Sequence, residues 1–192
     1  MRKGVIEILR SVGVGVMPTD TLYGIVGSAL KPDAVARIYK LRKRNLKKPM
    51  IVLISDMRQG TWDTFGIQLS KHERVILRKL WPNKLSVILP CRSKKFAYLH
   101  RGAKTLAFRH PKPKWLQNLL KKTGPLVAPS ANWEGERPAK TIREAKRYFK
   151  NSVDFYLDRG RRAGKPSTLV EIKRGELRVL REGAVRVTPK RA

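Results

Sequence analysis

The sequence predicts an α/β fold: one domain on a twisted sheet of mixed parallel and antiparallel strands, with helices on its faces. Short apolar runs alternate with longer segments whose apolar residues recur at helical spacing, as expected where strands and helices interleave. Two apolar runs near the end of the chain flank a tight turn, which predicts an antiparallel hairpin. A length of 192 residues and a hydrophobic fraction of 41% suit a single core, so we expect one domain over residues 1–192, with 185–192 as a loose tail.

Helices and strands alternate through the first half of the chain. Pro18 ends the first strand because its ring has no N–H for a sheet ladder. Pro32 suits the first turn of a helix, and Ser70 with Glu73 has the spacing of a capping box. The predicted elements are a helix at 2–10, a strand at 14–17, a helix at 32–41, a strand at 50–54, a helix at 70–80 and a strand at 85–89.

The second half repeats this alternation and ends in the hairpin. Gly124 suits a helix C-terminus, and Thr141 with Glu144 repeats the capping-box spacing. Arg174 and Gly175 are expected to turn the final hairpin. The predicted elements are a strand at 105–108, a helix at 113–122, a strand at 126–128, a helix after Thr141, and strands at 155–157, 168–172 and 177–180.

Charge is the unusual feature of the composition. The chain has 44 Lys and Arg residues against 14 Asp and Glu residues, a formal net charge of +30. A field of this size attracts polyanions, so RNA or another nucleic acid is the expected partner; an acidic membrane surface or a generally basic proteome would also explain the charge. Residues 1–15 lack the long apolar core of a signal peptide, and no apolar run is long enough to span a bilayer, so we expect a cytoplasmic protein with no membrane partner.

Cysteine and histidine give no indication of a metal site or a thiol nucleophile. Cys91 is the single cysteine, and His72, His100 and His110 are scattered along the chain. We expect Cys91 to be a small apolar residue at a strand end, and we expect no protein metal site.

The stretch VGVMPTDTLYG, residues 14–24, places polar side chains directly after an apolar strand. Thr19, Asp20, Thr21 and Tyr23 follow this strand, and ligands of open α/β sheets collect at such strand ends. Gly24 is expected to let the backbone turn sharply. An ordinary strand-to-helix connection with Thr or Asp as the N-cap explains the same stretch.

The other predicted strand ends carry hydroxyls and cations. Such groups suit a site that holds phosphate and carboxylate by charge-assisted hydrogen bonds, and they do not suit proton abstraction. The sequence has no GxxxxGK[ST] or GxGxxG loop, so a nucleotide would bind without a familiar phosphate loop. Helix C-termini also favour basic residues, and a plain N-cap turn also explains Ser130 with Asn132. The strand-end set comprises residues 19–23, 42–48 and 130–132, Thr105 with Arg109, Ser167 with Thr168, and Arg181.

Seven short motifs in order make the chain resemble the YrdC/Sua5 family over nearly its whole length. They are residues 18–24 (PTDTLYG), a basic tripeptide before 48–49 (KP), 81–82 (WP), 107–111 (AFRHP), 129–132 (PSAN), 167–169 (STL) and 180–183 (LREG). The resemblance implies a YrdC-like fold with a basic concave cavity. It also implies synthesis of L-threonylcarbamoyladenylate from L-threonine, bicarbonate and ATP, with release of pyrophosphate, for t6A37 modification of tRNA. The length is similar to that of the short form, without an extra C-terminal domain.

The resemblance also implies roles for individual residues. The groups that resemble the family's L-threonine site are Thr21, Arg109, the backbone of Ala128, and Ser167. The groups that resemble its ATP site are Arg42, Arg44, Lys48, Thr105, Ser130, Asn132 and Arg181, with Arg44 and Lys48 as the catalytic cations. Mg²⁺ would be held by the ATP phosphates, and the implied partners are tRNA or another RNA and a downstream threonylcarbamoyl transferase.

Several positions depart from the family pattern, and two other functions stay open. Arg42 stands where the family has the Lys of Lys-x-Arg, Asn45 replaces a Pro, Leu53 a His and Pro138 a Ser. A non-catalytic RNA-binding or ribosome-maturation protein would explain the net charge, but aromatic residues for base stacking are few. A relative that forms an adenylate from carbamoyl phosphate is the third hypothesis, although such chains normally carry further domains.

Overall fold

Nine strands and seven α-helices make up the protein in a computed structural model that describes residues 4–173 and 175–187. The strands are β1 Val14–Pro18, β2 Tyr23–Ser28, β3 Ile51–Leu53, β4 Leu85–Pro90, β5 Thr105–Arg109, β6 Leu126–Val127, β7 Phe155–Tyr156, β8 Thr168–Lys173 and β9 Glu176–Arg181. The helices are α1 Val5–Arg10, α2 Pro32–Leu41, α3 Gln59–Phe65, α4 Lys71–Leu80, α5 Ala97–His100, α6 Lys114–Thr123 and α7 Ile142–Phe149, with a 3₁₀ turn at Lys94–Phe96 before α5.

All nine strands join one mixed sheet, in the order β7-β1-β2-β6-β3-β5-β4-β8-β9. The pairs β1–β7, β3–β5 and β4–β8 are parallel, and the other five pairs are antiparallel. This confirms the predicted mixed α/β sheet, including the final hairpin of β8 and β9. The neighbours in the sheet are mostly distant in sequence, so the strand ends of different segments meet.

The second strand, β2, is absent from the sequence prediction. Gly24 was expected to turn the backbone, but it lies in β2 opposite Met17, and the turn is made by residues 19–22. Every residue of β2 is buried, so its sequence YGIVGS lacks the alternation of apolar and polar residues that identifies a half-exposed strand. Without that alternation, the two glycines of this segment indicated a loop instead of a strand.

Other differences from the prediction lie in short elements. The helix α3 and the turn formed by 94–96 with α5 were not predicted, since neither is long enough to show clear periodicity. The predicted start of α1 at Arg2 and the turn residue Arg174 lie outside the described residues. Val185, where the expected loose tail begins, is bound to the start of β8, because the hydroxyl of Thr168 bonds both its N–H and its carbonyl. Residues 188–192 lie outside the described part of the chain.

Helices pack apolar faces against both sides of the sheet and form two core clusters. The larger cluster contains Trp62, whose ring lies 5.8 Å from that of Phe108 in an edge-to-face contact. The smaller cluster joins α1 and α6 to the sheet through Leu9 and Leu116. The predicted capping box of α4 is present in full, with Ser70 and Glu73 bonding reciprocally. Cys91 is buried directly after β4, as predicted.

Candidate active site

One cavity of about 360 Å³ lies where the ends of several strands meet. Its lining comes from segments that are far apart in the chain, because the sheet order brings them together. The predicted site residues that line it are Thr21, Arg42, Arg44, Thr105, Arg109, Ala128, Ser130, Ser167 and Arg181. The predicted residues Lys48 and Asn132 are not part of the lining. With four arginines in its wall, the cavity suits an anionic ligand.

The turn between β1 and β2 supplies hydroxyl groups to the cavity. The hydroxyl of Thr19 donates to the carbonyl of Leu22 at 2.8 Å, and the N–H of Thr21 donates to the oxygen of Thr19 at 3.2 Å. The hydroxyls of Thr19 and Thr21 are 3.1 Å apart. These bonds fix the turn, so the Thr21 hydroxyl is held in position before any ligand arrives.

Arg109, at the end of β5, is the most deeply buried cation of the site. Its Nη2 lies 3.2 Å from Oδ1 of Asp20, and its Nη1 donates to the hydroxyl of Thr21 at 3.4 Å. The side chains of Arg109 and Asp20 are only 3% and 1% exposed. Burial lowers the pKa of Arg109, Asp20 opposes that effect, and the nearby charge of Arg181 lowers the pKa further. A carboxylate ligand beside Arg109 would therefore relieve the repulsion between the two guanidinium groups.

Arg181 and Ser167 form the opposite wall at the β8–β9 end of the sheet. Nη2 of Arg181 donates to the backbone carbonyl of Ser167 at 2.8 Å, and the Ser167 hydroxyl lies 2.9 Å from that of Ser86. Burial lowers the pKa of Arg181. The wall thus offers a guanidinium oriented by a carbonyl, together with a hydroxyl in a fixed pair.

Arg42 extends from the end of α2 beneath the loop at residues 130–132. Its Nε donates to the carbonyl of Asn132 at 3.1 Å, and its Nη2 lies 3.4 Å from both the Ser130 hydroxyl and Oδ1 of Asn132. Burial, followed by the charge of Arg44, lowers the pKa of Arg42 to about 10. Nη1 of Arg42 is buried without a hydrogen-bond partner among the described residues. Arg42 therefore holds the loop through two of its three nitrogen atoms.

The segment after α2 places its two cations differently. Arg44 is half-buried, and its guanidinium donates to the carbonyls of Lys48 at 3.2 Å and Pro49 at 2.8 Å. Lys48 is exposed and pairs with Glu134, with Nζ 2.8 Å from Oε1. That pair and a bond from the N–H of Asn45 lower the pKa of Glu134. Arg44 can thus reach a ligand from the cavity wall, whereas the Lys48 ammonium is engaged by Glu134 outside the lining.

Two acidic side chains matter to the site but carry no predicted role. Asp20 was named only as one of the polar residues after the first strand, and it proves to be the partner of Arg109. Glu134 had no sequence signal, because its partner Lys48 lies 86 positions earlier. The composition shows a large excess of cations, but it does not show which carboxylates pair with the cations of the site.

The described residues contain no cluster of three or more His, Cys, Asp or Glu side chains able to bind a metal ion. No helix among them is long and apolar enough to cross a membrane. The Mg²⁺ implied by the sequence resemblance stays a prediction.

Comparison with known proteins identifies the family. The family model for Sua5, YciO and YrdC, described as "Telomere recombination", matches residues 7–183. The chain is 30% identical to the threonylcarbamoyl-AMP synthase of Coxiella burnetii strain RSA 493 over 80% of this chain and 82% of the relative. It is 34% identical to the threonylcarbamoyl-AMP synthase of Bacillus subtilis over 71% of this chain and 39% of that longer protein.

A solved structure supports the same assignment. P. abyssi Sua5 complexed with L-threonine superposes with a TM-score of 0.82 at 25% identity, over 93% of this chain and 52% of that one. The chain therefore belongs to the Sua5/YciO/YrdC family.

Proposed function

We propose that this protein is an L-threonylcarbamoyladenylate synthase, which converts L-threonine, bicarbonate and ATP into the adenylate and pyrophosphate. The observation that carries the proposal is the convergence of hydroxyls and four arginines from distant segments on one cavity. The names of the relatives in Coxiella burnetii and Bacillus subtilis support the same reaction. The product serves t6A modification of tRNA.

The reaction needs charge stabilisation more than proton transfer. The amine of threonine attacks bicarbonate, a C–N bond forms and water leaves, which gives a carbamate anion. An oxygen of this carbamate then attacks the α-phosphorus of ATP, and the bond to the departing pyrophosphate breaks. The carbamate is already an anion, so no general base is required in this second step. The protein must instead hold two anions in line and stabilise charge as pyrophosphate departs.

The cavity wall divides into groups suited to each substrate. Thr21, Arg109, the backbone of Ala128 and Ser167 would bind L-threonine, with the buried guanidinium facing the carboxylate. Arg44 would stabilise the charge that develops on the phosphates, since its guanidinium lines the cavity and is oriented by two carbonyls. Mg²⁺ bound to the ATP phosphates would neutralise part of their charge. The remaining groups proposed for ATP are Arg42, Thr105, Ser130 and Arg181 in the wall, together with Lys48 and Asn132, which lie outside the lining.

Pyrophosphate release tests the proposal directly. Purified protein with Mg²⁺ and ATP should release pyrophosphate only when L-threonine and bicarbonate are both present, because the attacking carbamate contains both. Mass spectrometry of the same mixture should detect the threonylcarbamoyl adenylate. Release that does not depend on threonine would contradict the assignment.

The proposed partners follow from the product and the charge. An adenylate is a mixed anhydride, so a transferase must accept its threonylcarbamoyl group, and tRNA is the final acceptor. The net charge of +30 supports direct binding of RNA in the cytoplasm. Overall RNA affinity should fall steeply with salt, and an affinity unchanged between low and moderate salt would contradict direct electrostatic binding.

A further inference from the structure

A second concavity, here called the basic groove, lies outside the cavity and has no role in the proposed reaction. It has a volume of about 460 Å³. Three chain segments form it: the loop before α7, the outer side of α7 itself, and the irregular chain after β7. Its walls carry the aromatic residues Trp133 and Tyr148 and the cations Arg137, Lys140, Arg147 and Arg161.

The four cations of the basic groove are exposed and unpaired. The one carboxylate in its lining, Glu144, accepts a hydrogen bond from the backbone N–H of Lys140 at 2.8 Å. No ion pair joins a groove cation to a carboxylate among residues 4–173 and 175–187. Four guanidinium and ammonium groups that line one groove, with a single carboxylate among them and no ion pair to it, suit a ligand with several negative charges in a row.

The aromatic residues of the basic groove form a fixed platform. The rings of Trp133 and Tyr148 lie 5.5 Å apart in an edge-to-face contact, and the Tyr148 hydroxyl donates to the carbonyl of Arg137 at 2.9 Å. The ammonium of Lys43 lies over the Trp133 ring, 3.7 Å from its centroid. Trp133 is half-exposed, so a flat group can reach it by displacing a flexible lysine rather than by opening the core.

We propose that the basic groove binds a single-stranded polynucleotide, with phosphates on the four cations and an unpaired base on Trp133. Stacking on an aromatic ring together with a line of cations is the usual physical basis of single-strand binding. A duplex would present phosphates but keep its bases stacked on each other, so Trp133 would add nothing. The groove lies near the cavity, because Trp133 is close in the chain to Ser130 of the cavity lining, and the N–H of Glu134 donates to the carbonyl of Arg42, which also lines the cavity. The proposal does not depend on the synthase reaction.

Charge-matched variants separate the groove from the general field of the protein. The test pair is Arg137→Ala with Arg147→Ala, and the control pair is Arg78→Ala with Arg92→Ala, which removes two exposed arginines elsewhere. Arg78 belongs to α4, the helix before β4, and five strands separate β4 from β7 in the sheet order. Both pairs lower the net charge equally, so a protein that binds RNA only through its overall field would respond equally to both.

Fluorescence anisotropy of a labelled oligouridylate of about twelve nucleotides measures the effect. The test pair should weaken binding about tenfold or more, and the slope of log affinity against log salt should become shallower by roughly 1.4 for the two lost phosphate contacts. The control pair should weaken binding less than about threefold, as expected from its charge alone. Equal weakening by the two pairs would overturn the proposal.

Trp133 distinguishes stacking from charge. Trp133→Leu should weaken oligouridylate binding roughly 5- to 150-fold, and Trp133→Phe should retain most of the affinity because it keeps an aromatic face. Neither substitution should change affinity for an RNA duplex. If Trp133→Leu binds oligouridylate as the wild type does, or weakens duplex binding equally, the stacking platform is wrong. Thermal unfolding of each variant checks that the fold is intact. If Trp133→Leu is unstable, the groove is still tested by the arginine test and control pairs, and a loss of affinity in a folded Trp133→Phe variant would contradict the stacking platform.

Three further ligands identify the polyanion. Oligothymidylate bound as tightly as oligouridylate would assign the groove to any single strand, whereas weaker binding would assign it to RNA. Vesicles of phosphatidylserine and phosphatidylcholine test an acidic membrane surface. If the test pair loses vesicle binding but keeps oligouridylate binding, the groove is a lipid site and the proposal is wrong. Pyrophosphate release should be unchanged in the test pair, since neither arginine lines the cavity.

Discussion

The two sides of the cavity hold similar ion pairs in opposite surroundings. The inner wall, defined as Asp20, Thr21 and Arg109, contains a pair at 3.2 Å whose side chains are 3% and 1% exposed. The outer rim, defined as Arg44, Lys48 and Glu134, contains a shorter pair at 2.8 Å in which Lys48 is 60% exposed. The shorter pair contributes less to stability, because water screens the attraction between its two charges and solvates each of them when the pair breaks.

Burial therefore decides what each charge contributes. Neither partner of the inner wall can be removed without leaving the other charged in a dry environment, which costs far more than the pair itself gains. In the outer rim, a lost partner is replaced by solvent. We expect the loss of a charge from the inner wall to affect folding and threonine binding together, whereas substitutions in the rim should change the free energy of unfolding little.

The largest expected effect is that of Arg109→Ala. It leaves the Asp20 carboxylate buried and unpaired, so the free energy of unfolding should fall by about 3–5 kcal/mol, and the KM for threonine should rise. Urea unfolding and threonine titration measure the two effects. The double variant Asp20→Asn with Arg109→Met should recover much of the stability but none of the threonine binding. If Arg109→Ala has the same free energy of unfolding as the wild type, burial does not make the inner pair more costly to break than the rim pair.

Arg44→Ala should come next, and it should separate catalysis from folding. The guanidinium is half-buried and bonded to carbonyls, so stability should change little. Loss of a charge-assisted contact of about 1.5–3 kcal/mol should slow adenylate formation roughly 10- to 150-fold. Lys146→Ala is the matched control, because Lys146 is exposed on α7 and lies outside the cavity lining. Equal turnover in the two variants would remove Arg44 from the site.

Thr21→Val should have a smaller effect on the inner wall. The substitution removes a hydroxyl that lies 3.1 Å from that of Thr19 and accepts from Arg109, but it keeps the volume of the side chain. A neutral hydrogen bond of about 0.5–1.5 kcal/mol corresponds to a roughly two- to tenfold rise in the KM for threonine. Thr123→Val is a useful control, since its hydroxyl bonds the carbonyls of Leu119 and Gly124 and does not line the cavity. A threonine KM unchanged in Thr21→Val would exclude the hydroxyl from binding.

Glu134→Gln in the outer rim should have the smallest effect, about 0.2–1 kcal/mol on the free energy of unfolding. Lys48 lowers the pKa of Glu134, so the carboxylate stabilises the fold at pH values above the ordinary carboxyl pKa, and this stabilisation is lost as pH falls through the lowered pKa. The difference between wild type and variant should therefore vanish in acid. Urea unfolding at neutral and acidic pH measures this difference in stability. A difference that grows in acid would contradict a stabilising role for the Glu134 carboxylate.

Sequence reasoning predicted the elements with strong periodicity and missed those whose form depends on the rest of the fold. The helix at 32–41 begins with a proline, the helix after Ser70 has a capping box, and both have an apolar face, so local chemistry was sufficient. The strand β2 is buried on both faces, a property conferred by neighbours that enter the sheet later in the chain. The same distinction applies to the site: the motif residues that line the cavity were predicted, but the partnership of Asp20 with Arg109 spans segments that no local pattern connects.

The order of strands in the sheet determines how much of the chain must be synthesised before the sheet is complete. The N–H of Val14 in β1 bonds the carboxylate of Asp154, 140 residues later, and β1 pairs with β7 just beyond that point. A ribosome that adds about 5–20 residues per second needs roughly 7–28 s to supply those 140 residues, and β1 has one unpaired edge throughout that interval. The wall that carries Ser167 and Arg181 emerges later still. The cavity therefore forms only when the last strands join the sheet, and until then the apolar edge of β1 is open to pairing with other chains.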